Sequence, residues 1–117
     1  MIPAAVKSLV PHTALEALDI RVGTIVLVED LPKSAKLVRL TVDFGDHKRT
    51  VIAGLKQERT NPKEIEGRQT LFVVNLEPRK ILGELSQGML FDIGYADGIA
   101  PCLAVPERLV PDGARAG

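Results

Sequence analysis

The chain has no tryptophan, one tyrosine and three phenylalanines among 117 residues. A core must therefore be built from Val, Leu, Ile and Ala, and a surface that stacks several nucleic-acid bases on exposed rings is disfavoured. A single cysteine, Cys102, excludes an internal disulfide and any paired-cysteine zinc pattern. Beside Pro101 it reads as a small core hydrophobe. His12 and His47 stand apart with no second ligand at useful spacing, so no metal is expected. Asp43 and Asp46 flank a turn signal and read as turn chemistry. No nucleophile elbow, P-loop or dinucleotide fingerprint occurs, and the expectation is a binding protein, not an enzyme, with no cofactor. No apolar run reaches the roughly 20 residues of a membrane span. The opening Met1-Ile2-Pro3-Ala4-Ala5-Val6-Lys7 lacks a secretory pattern, so the cytoplasm is the expected compartment.

An excess charge of either sign is also missing: 15 basic residues balance 15 acidic ones. Alone, that speaks against a nucleic-acid binder, which usually has a basic footprint. The balance is uneven along the chain. Between Leu31 and Arg59 stand Lys33, Lys36, Arg39, Lys48, Arg49, Lys56 and Arg59 against Asp43, Asp46 and Glu58, a local charge of +4. A basic middle segment admits two readings, a solvated surface of mixed charges or an anion-binding face.

What is abundant is β-branched sequence. Ile20 to Val28 carries five Ile/Val residues around Gly23, and a glycine inside a strand suggests a bulge or bend. Leu37 to Phe44 alternates cleanly, with Val38, Leu40, Val42 and Phe44 on one face and Arg39, Thr41 and Asp43 on the other. Gly45-Asp46 predicts a turn, and Lys48 to Ala53 a third strand, with Arg39, Lys48 and Arg49 sharing a solvent-facing surface. Thr13 is placed to cap a short helix over Ala14 to Leu18. Asn61-Pro62-Lys63-Glu64 is a helix start closed by Gly67. Thr70 to Asn75 predicts strand four, Leu76 to Gly88 a loop, Met89 to Ile93 strand five, and Ile99 to Val105 a further strand. Three strands, a short helix and two strands is the order of an all-β OB-fold, a five-stranded Greek-key barrel with its helix between strands three and four; a second small β-barrel class stays open, because strand order does not fix pairing. An added C-terminal β segment follows.

Several stretches resemble one family, the tRNA-binding domain at the C-terminus of many bacterial methionyl-tRNA synthetases. Its relatives include the endothelial monocyte-activating polypeptide module, free-standing dimeric tRNA-binding proteins and CsaA-type secretion chaperones. The resemblance lies in Asp19-Ile20-Arg21-Val22-Gly23, Pro32-Lys33-Ser34-Ala35-Lys36-Leu37, Ala53-Gly54-Leu55, the run from Asn75 to Leu90, and Val110-Pro111-Asp112-Gly113. Departures are Leu31 where many members have His, Ala35 where they have Asp, and Ala53 in place of Ser. The resemblance implies an N-terminal extension over 1–14 and an OB-fold domain over 15–117, whose C-terminal segment supports a homodimer. It also implies tRNA as partner, recognised by shape, in trans, and an aminoacyl-tRNA synthetase that the protein helps.

In this reading Lys33 and Lys36, in the loop between strands one and two, and Arg79 and Lys80, in the loop before strand five, neutralise phosphates. Arg39 projects from the same face. Arg21 either joins that face or pairs with Asp19 or Glu16. Asn75 reads a base edge or holds its loop through its amide. Ser86 donates to a phosphate or braces the loop, and Met89 reads as packing. The alternative function is a CsaA-type chaperone binding unfolded polypeptides, suggested by Asp43-Phe44-Gly45 and Pro78-Arg79-Lys80-Ile81. Ser86-Gln87-Gly88-Met89 favours the tRNA-binding branch.

Overall fold

A computed structural model describes residues 1–117. Seven strands form in chain order: β1 (Ile20–Asp30), β2 (Val38–Asp43), β3 (Lys48–Ala53), β4 (Gln69–Val73), β5 (Arg79–Ile81), β6 (Glu84–Ser86) and β7 (Met89–Leu90). Five of them make an antiparallel sheet in the order β3-β2-β1-β4-β7, while β5 and β6 form a separate hairpin. The sheet curls until its two edges are stitched together. Gln87 donates its backbone N–H to Thr50 O of β3 at 2.8 Å and accepts from Thr50 N through Oε1 at 3.0 Å. Ser86 Oγ accepts from Ile52 N at 3.0 Å. Sealed edges and this strand order are those of an OB-type barrel.

The alternation read in the sequence is what buries the core. In β2, Val38, Leu40 and Val42 face inward, and they meet Val51 and Ala53 of β3, Ile25 and Val28 of β1, and Phe72 of β4. The two core rings, Phe44 and Phe72, pack edge to face at 5.6 Å.

β1 is the spine. Its first half pairs with β4 and its second half with β2, with a register shift between Ile25 and Leu27. The bulge therefore falls at Val26 and not at Gly23. Gly23 has another duty: a Cβ there would lie 2.5 Å from Val42 Cγ1 and 2.8 Å from Phe44 Cε1. Its missing side chain makes room for the core.

Each half of β1 would leave one edge bare, and other segments cover both. Beside the second half, Glu66 accepts from Val28 N at 2.9 Å, Lys63 donates to Val28 O at 2.8 Å, and Gly67 N donates to Ile25 O at 2.7 Å. Beside the first half runs the C-terminal tail. Gly113 N donates to Val22 O at 2.8 Å, Val22 N to Ala114 O at 2.9 Å and Ala116 N to Ile20 O at 2.8 Å. The tail is pinned further by Asp112, whose Oδ1 accepts from Thr24 Oγ1 at 2.6 Å and from Gln69 Nε2 at 3.0 Å.

Several local expectations change, among them strand five, which ends at Leu90 and not at Ile93. The segment at Asn61 forms a 3-10 turn, Pro62–Ile65, and not a two-turn helix. Asn61 makes no side-chain cap, and Glu64 turns to Arg59 at 2.7 Å. Ile65 is fully buried against the barrel core, so the turn still supplies core packing. The first helix, α1, spans His12–Glu16, with Pro11 and not Thr13 at its cap, and buries no residue. The expected loop at Leu76–Gly88 contains the β5–β6 hairpin, turned by Leu82 and Gly83 at φ 51° and 76°. Positive φ at both central residues is the signature of a type I′ turn. Ile99 to Val105 forms no strand; it contributes one bridge, Ile93 to Cys102, and the buried Leu103. Cys102 itself is exposed. No helix is long and apolar enough to cross a membrane.

Candidate nucleic-acid interface

The basic residues divide into those the fold uses and those it leaves free. Arg39, outward on β2, pairs with Glu29 of β1 at 3.2 Å and Glu84 of β6 at 2.5 Å. These partners raise its pKa, the Glu29 hydrogen bond most. Arg49 does not share that outer surface. Its register partner is the buried Val42, so it points toward the barrel interior. There its Nη1 donates to Val74 O at 2.6 Å and Gln87 O at 3.1 Å, and its guanidinium lies 5.9 Å from the Phe44 ring centre. Arg21 takes the structural alternative, bonding Asp19 at 2.8 and 3.1 Å and holding that carboxyl below its usual range.

Lys56, one cation among seven in the basic middle segment, holds the first loop. Its Nζ donates to Leu31 O at 2.9 Å and Ser34 O at 2.7 Å and pairs with Asp30. Ser34 Oγ accepts from the backbone N–H of Lys36 and Leu37 at 3.2 and 3.0 Å. The loop carrying Lys33 and Lys36 is therefore set by internal bonds, while both lysine side chains are exposed and make no ion pair or hydrogen bond. No local sequence signal marks this, because Lys56 reaches the loop only once β1 to β3 have paired.

The second basic pair stands on the hairpin. Arg79 lies opposite Ser86 and Lys80 opposite Leu85, so the two side chains leave β5 on opposite faces. Both are exposed and unpaired. Ser86 is buried; its hydroxyl accepts from Ile52 N at 3.0 Å and donates to Gly88 O at 3.2 Å. That fastens the hairpin to β3. Asn75 spends its amide likewise, Oδ1 accepting from Asp19 N at 2.7 Å and Nδ2 donating to Ala17 O at 2.8 Å. Of the seven candidate residues, Lys33, Lys36, Arg79 and Lys80 keep their charges free, whereas Arg39, Asn75 and Ser86 are engaged within the fold.

Lys36 and Arg79 line one cleft of about 780 Å³. Its walls are the Gly54–Glu58 segment after β3 and the chain from Met89 to Ile99. Glu58 and Asp92 stand in it half-buried, and burial pushes both carboxyls above their usual range, with Asp92 raising Glu58 further. Neither acid sits in a recognisable motif, so the sequence gives no sign of their place here. No cluster of His, Cys, Asp and Glu in the fold is arranged to hold a metal.

Residues 20–115 match the family model described as "Putative tRNA binding domain". Methionine–tRNA ligase of Methanocaldococcus jannaschii is 41% identical over 95 residues, which cover 81% of this chain and 14% of the ligase. The chain thus spans about one seventh of the curated relatives it matches. Among solved structures, a MetRS related protein from Pyrococcus horikoshii superposes with a TM-score of 0.86 at 35% identity, covering 95% of this chain and all of that one. The chaperone CsaA of Bacillus anthracis superposes with a TM-score of 0.81 at 26% identity, covering 94% of this chain and all of that one. The chain is similar in sequence and in shape to these proteins, and it belongs to the tRNA-binding domain family.

Proposed function

We propose that this chain is a cytoplasmic, structure-specific tRNA-binding protein that acts in trans as a homodimer and assists an aminoacyl-tRNA synthetase. The observation that carries the proposal is the unpaired set Lys33, Lys36, Arg79 and Lys80, held on two loops stiffened by Lys56, Ser34 and Ser86. Free, preplaced cations suit a phosphate backbone: they release counterions on binding and need no base sequence. Arg39, Asn75 and Ser86 support this surface by fixing the elements that carry it. Dimerisation through the C-terminal segment is supported by Val105 and Leu109, 54% and 85% exposed and lacking cover within the chain. Two modest basic faces on one tRNA would act at high effective concentration.

The test is tRNA binding across a salt series. Affinity should fall steeply with salt. Lys36→Glu or Lys80→Glu should weaken it and flatten the log–log slope by about 0.7–0.9 for each phosphate no longer neutralised. Absence of tRNA binding at low salt would overturn the proposal. A second reading, binding of unfolded polypeptide, draws on the fold shared with CsaA and on the uncovered apolar side chains. Suppressed light scattering from an aggregating client, with no competition by tRNA, would favour it.

A further inference from the structure

The cleft between β3 and β7 has a composition that phosphate binding does not require. The protein has four aromatic side chains, and two of them, Phe44 and Phe72, form the core. The other two, Phe91 and Tyr95, are 43% and 74% exposed, and both line this cleft. Tyr95 is presented on a 3-10 turn, Tyr95–Asp97, bounded by Gly94 and Gly98 at φ 103° and 70°. Backbone bonds from Gly98 N to Tyr95 O at 3.2 Å and from Ile99 N to Gly94 O at 3.2 Å close that turn. Glu58 and Asp92 line the same cleft, neither in an ion pair nor in a side-chain hydrogen bond to another residue. Lys36 and Arg79 bring free cations to the same cleft.

We propose that this cleft receives one unpaired nucleobase of the bound RNA, stacked on Phe91 and Tyr95, read at its edge by Asp92 and Glu58, with the adjoining phosphate held by Lys36 and Arg79. The inference rests on the tRNA-binding reading and deepens it. Aromatic scarcity argues against a run of stacked bases, but two rings in one cleft suffice for one base. Ionised carboxylates only accept hydrogen bonds, so the base must offer N–H donors. Guanine offers two adjacent ones, N1–H and the N2 amino group, on its Watson–Crick edge. A duplex occupies that edge, so the base must be unpaired. Uracil flanks its single N–H with carbonyl oxygens, which a carboxylate repels. The expected order is guanine first, adenine and cytosine next through one amino group each, and uracil last.

The chain reports on the cleft by itself. Tyr95 is the only tyrosine and tryptophan is absent, so intrinsic emission comes from Tyr95 alone. The full chain is titrated with a uridine pentamer carrying one central guanosine, and with the all-uridine pentamer. Free N-acetyltyrosinamide in parallel corrects for absorption by the bases. Labelled tRNA binding is followed separately by anisotropy.

The expected result is saturable quenching by the guanosine pentamer, at least about tenfold tighter than by the uridine pentamer. Asp92→Asn and Glu58→Gln should each reduce that preference, weakening the guanosine pentamer and leaving the uridine pentamer as tight or tighter, because the repulsion of its carbonyl oxygens is removed. Phe91→Leu should weaken both pentamers. Equal responses to the two pentamers, or none, while tRNA still binds, would overturn the base-receiving cleft and leave the tRNA reading standing. Failure of tRNA to bind at low salt removes the tRNA reading itself. If Tyr95 is shielded from acrylamide in the free protein and becomes accessible on dilution, a second copy covers the cleft, and the proposal falls.

Discussion

Single side chains in this barrel divide by what their charge meets. Asp19 is held low first by its hydrogen bond to Arg21, and Glu66 first by the backbone N–H of Val28. Their folded pKa values lie below the unfolded ones, so the stability they contribute is present above the ordinary carboxylate range near 4 and is lost as pH falls through the folded values. Glu58 and Asp92 act in the opposite sense. Burial raises them, so stability is full below the unfolded values and declines as pH rises through the folded ones. Asp92→Asn and Glu58→Gln should therefore stabilise the fold more at pH 7 than at pH 4, by no more than about 1 kcal/mol for half-exposed groups. Thermal melts at the two pH values check this. The opposite prediction holds for Glu66→Gln, which should cost more stability at pH 7 than at pH 3. Free and engaged cations look alike in sequence. Lys33 and Lys36 were legible as cations on a loop, but the engagement of Arg39 was not, because Glu84 lies far along the chain and meets it only after the barrel closes.

Among the elements, the β5–β6 hairpin was the least legible. The usual sign of a two-residue hairpin is Asn-Gly or Asp-Gly, and here Leu82 holds the first position at φ 51°. A leucine in that region is strained, and its side chain is 58% exposed and gains little in return. Leu82→Asn should stabilise the protein by about 1 kcal/mol, read as a melting-temperature rise of roughly 4 °C. No change would mean that the turn relaxes without penalty. The strands of the main sheet were readable because alternation is enforced by burial. The C-terminal tail was not readable as a strand partner, since Val110-Pro111-Asp112-Gly113 carries turn residues and no alternation. Its hold on β1 is checked by Asp112→Ala, which removes the bonds from Thr24 and Gln69 and should cost about 1–3 kcal/mol in denaturant unfolding.

For the whole molecule, several large apolar side chains lie uncovered on the surface. Met1, Ile2, Val6 and Leu9 are at least 80% exposed, and Leu109 is 85% exposed. A dimer would give such residues cover. Light scattering should return a molar mass twice the 12.6 kDa of one chain, and a value near 12.6 kDa would rule a stable dimer out. The neutral net charge hid the function class, because a protein that spends its acids on Arg39, Lys56 and Arg59 can still leave Lys33, Lys36, Arg79 and Lys80 free.

The tail that closes along β1 also sets when this protein can fold. Ile20 and Val22 find their last backbone partners in Ala116 and Ala114, far along the chain. During synthesis the central strand emerges early and stays half-clad until residues 112–116 have left the ribosome. Such long-range pairing is slow to form, on the order of milliseconds to seconds, and the exposed edge of the waiting strand invites mispairing. A nascent chain stalled just short of Asp112 should therefore be open to proteases, and release of the residues that follow should close it.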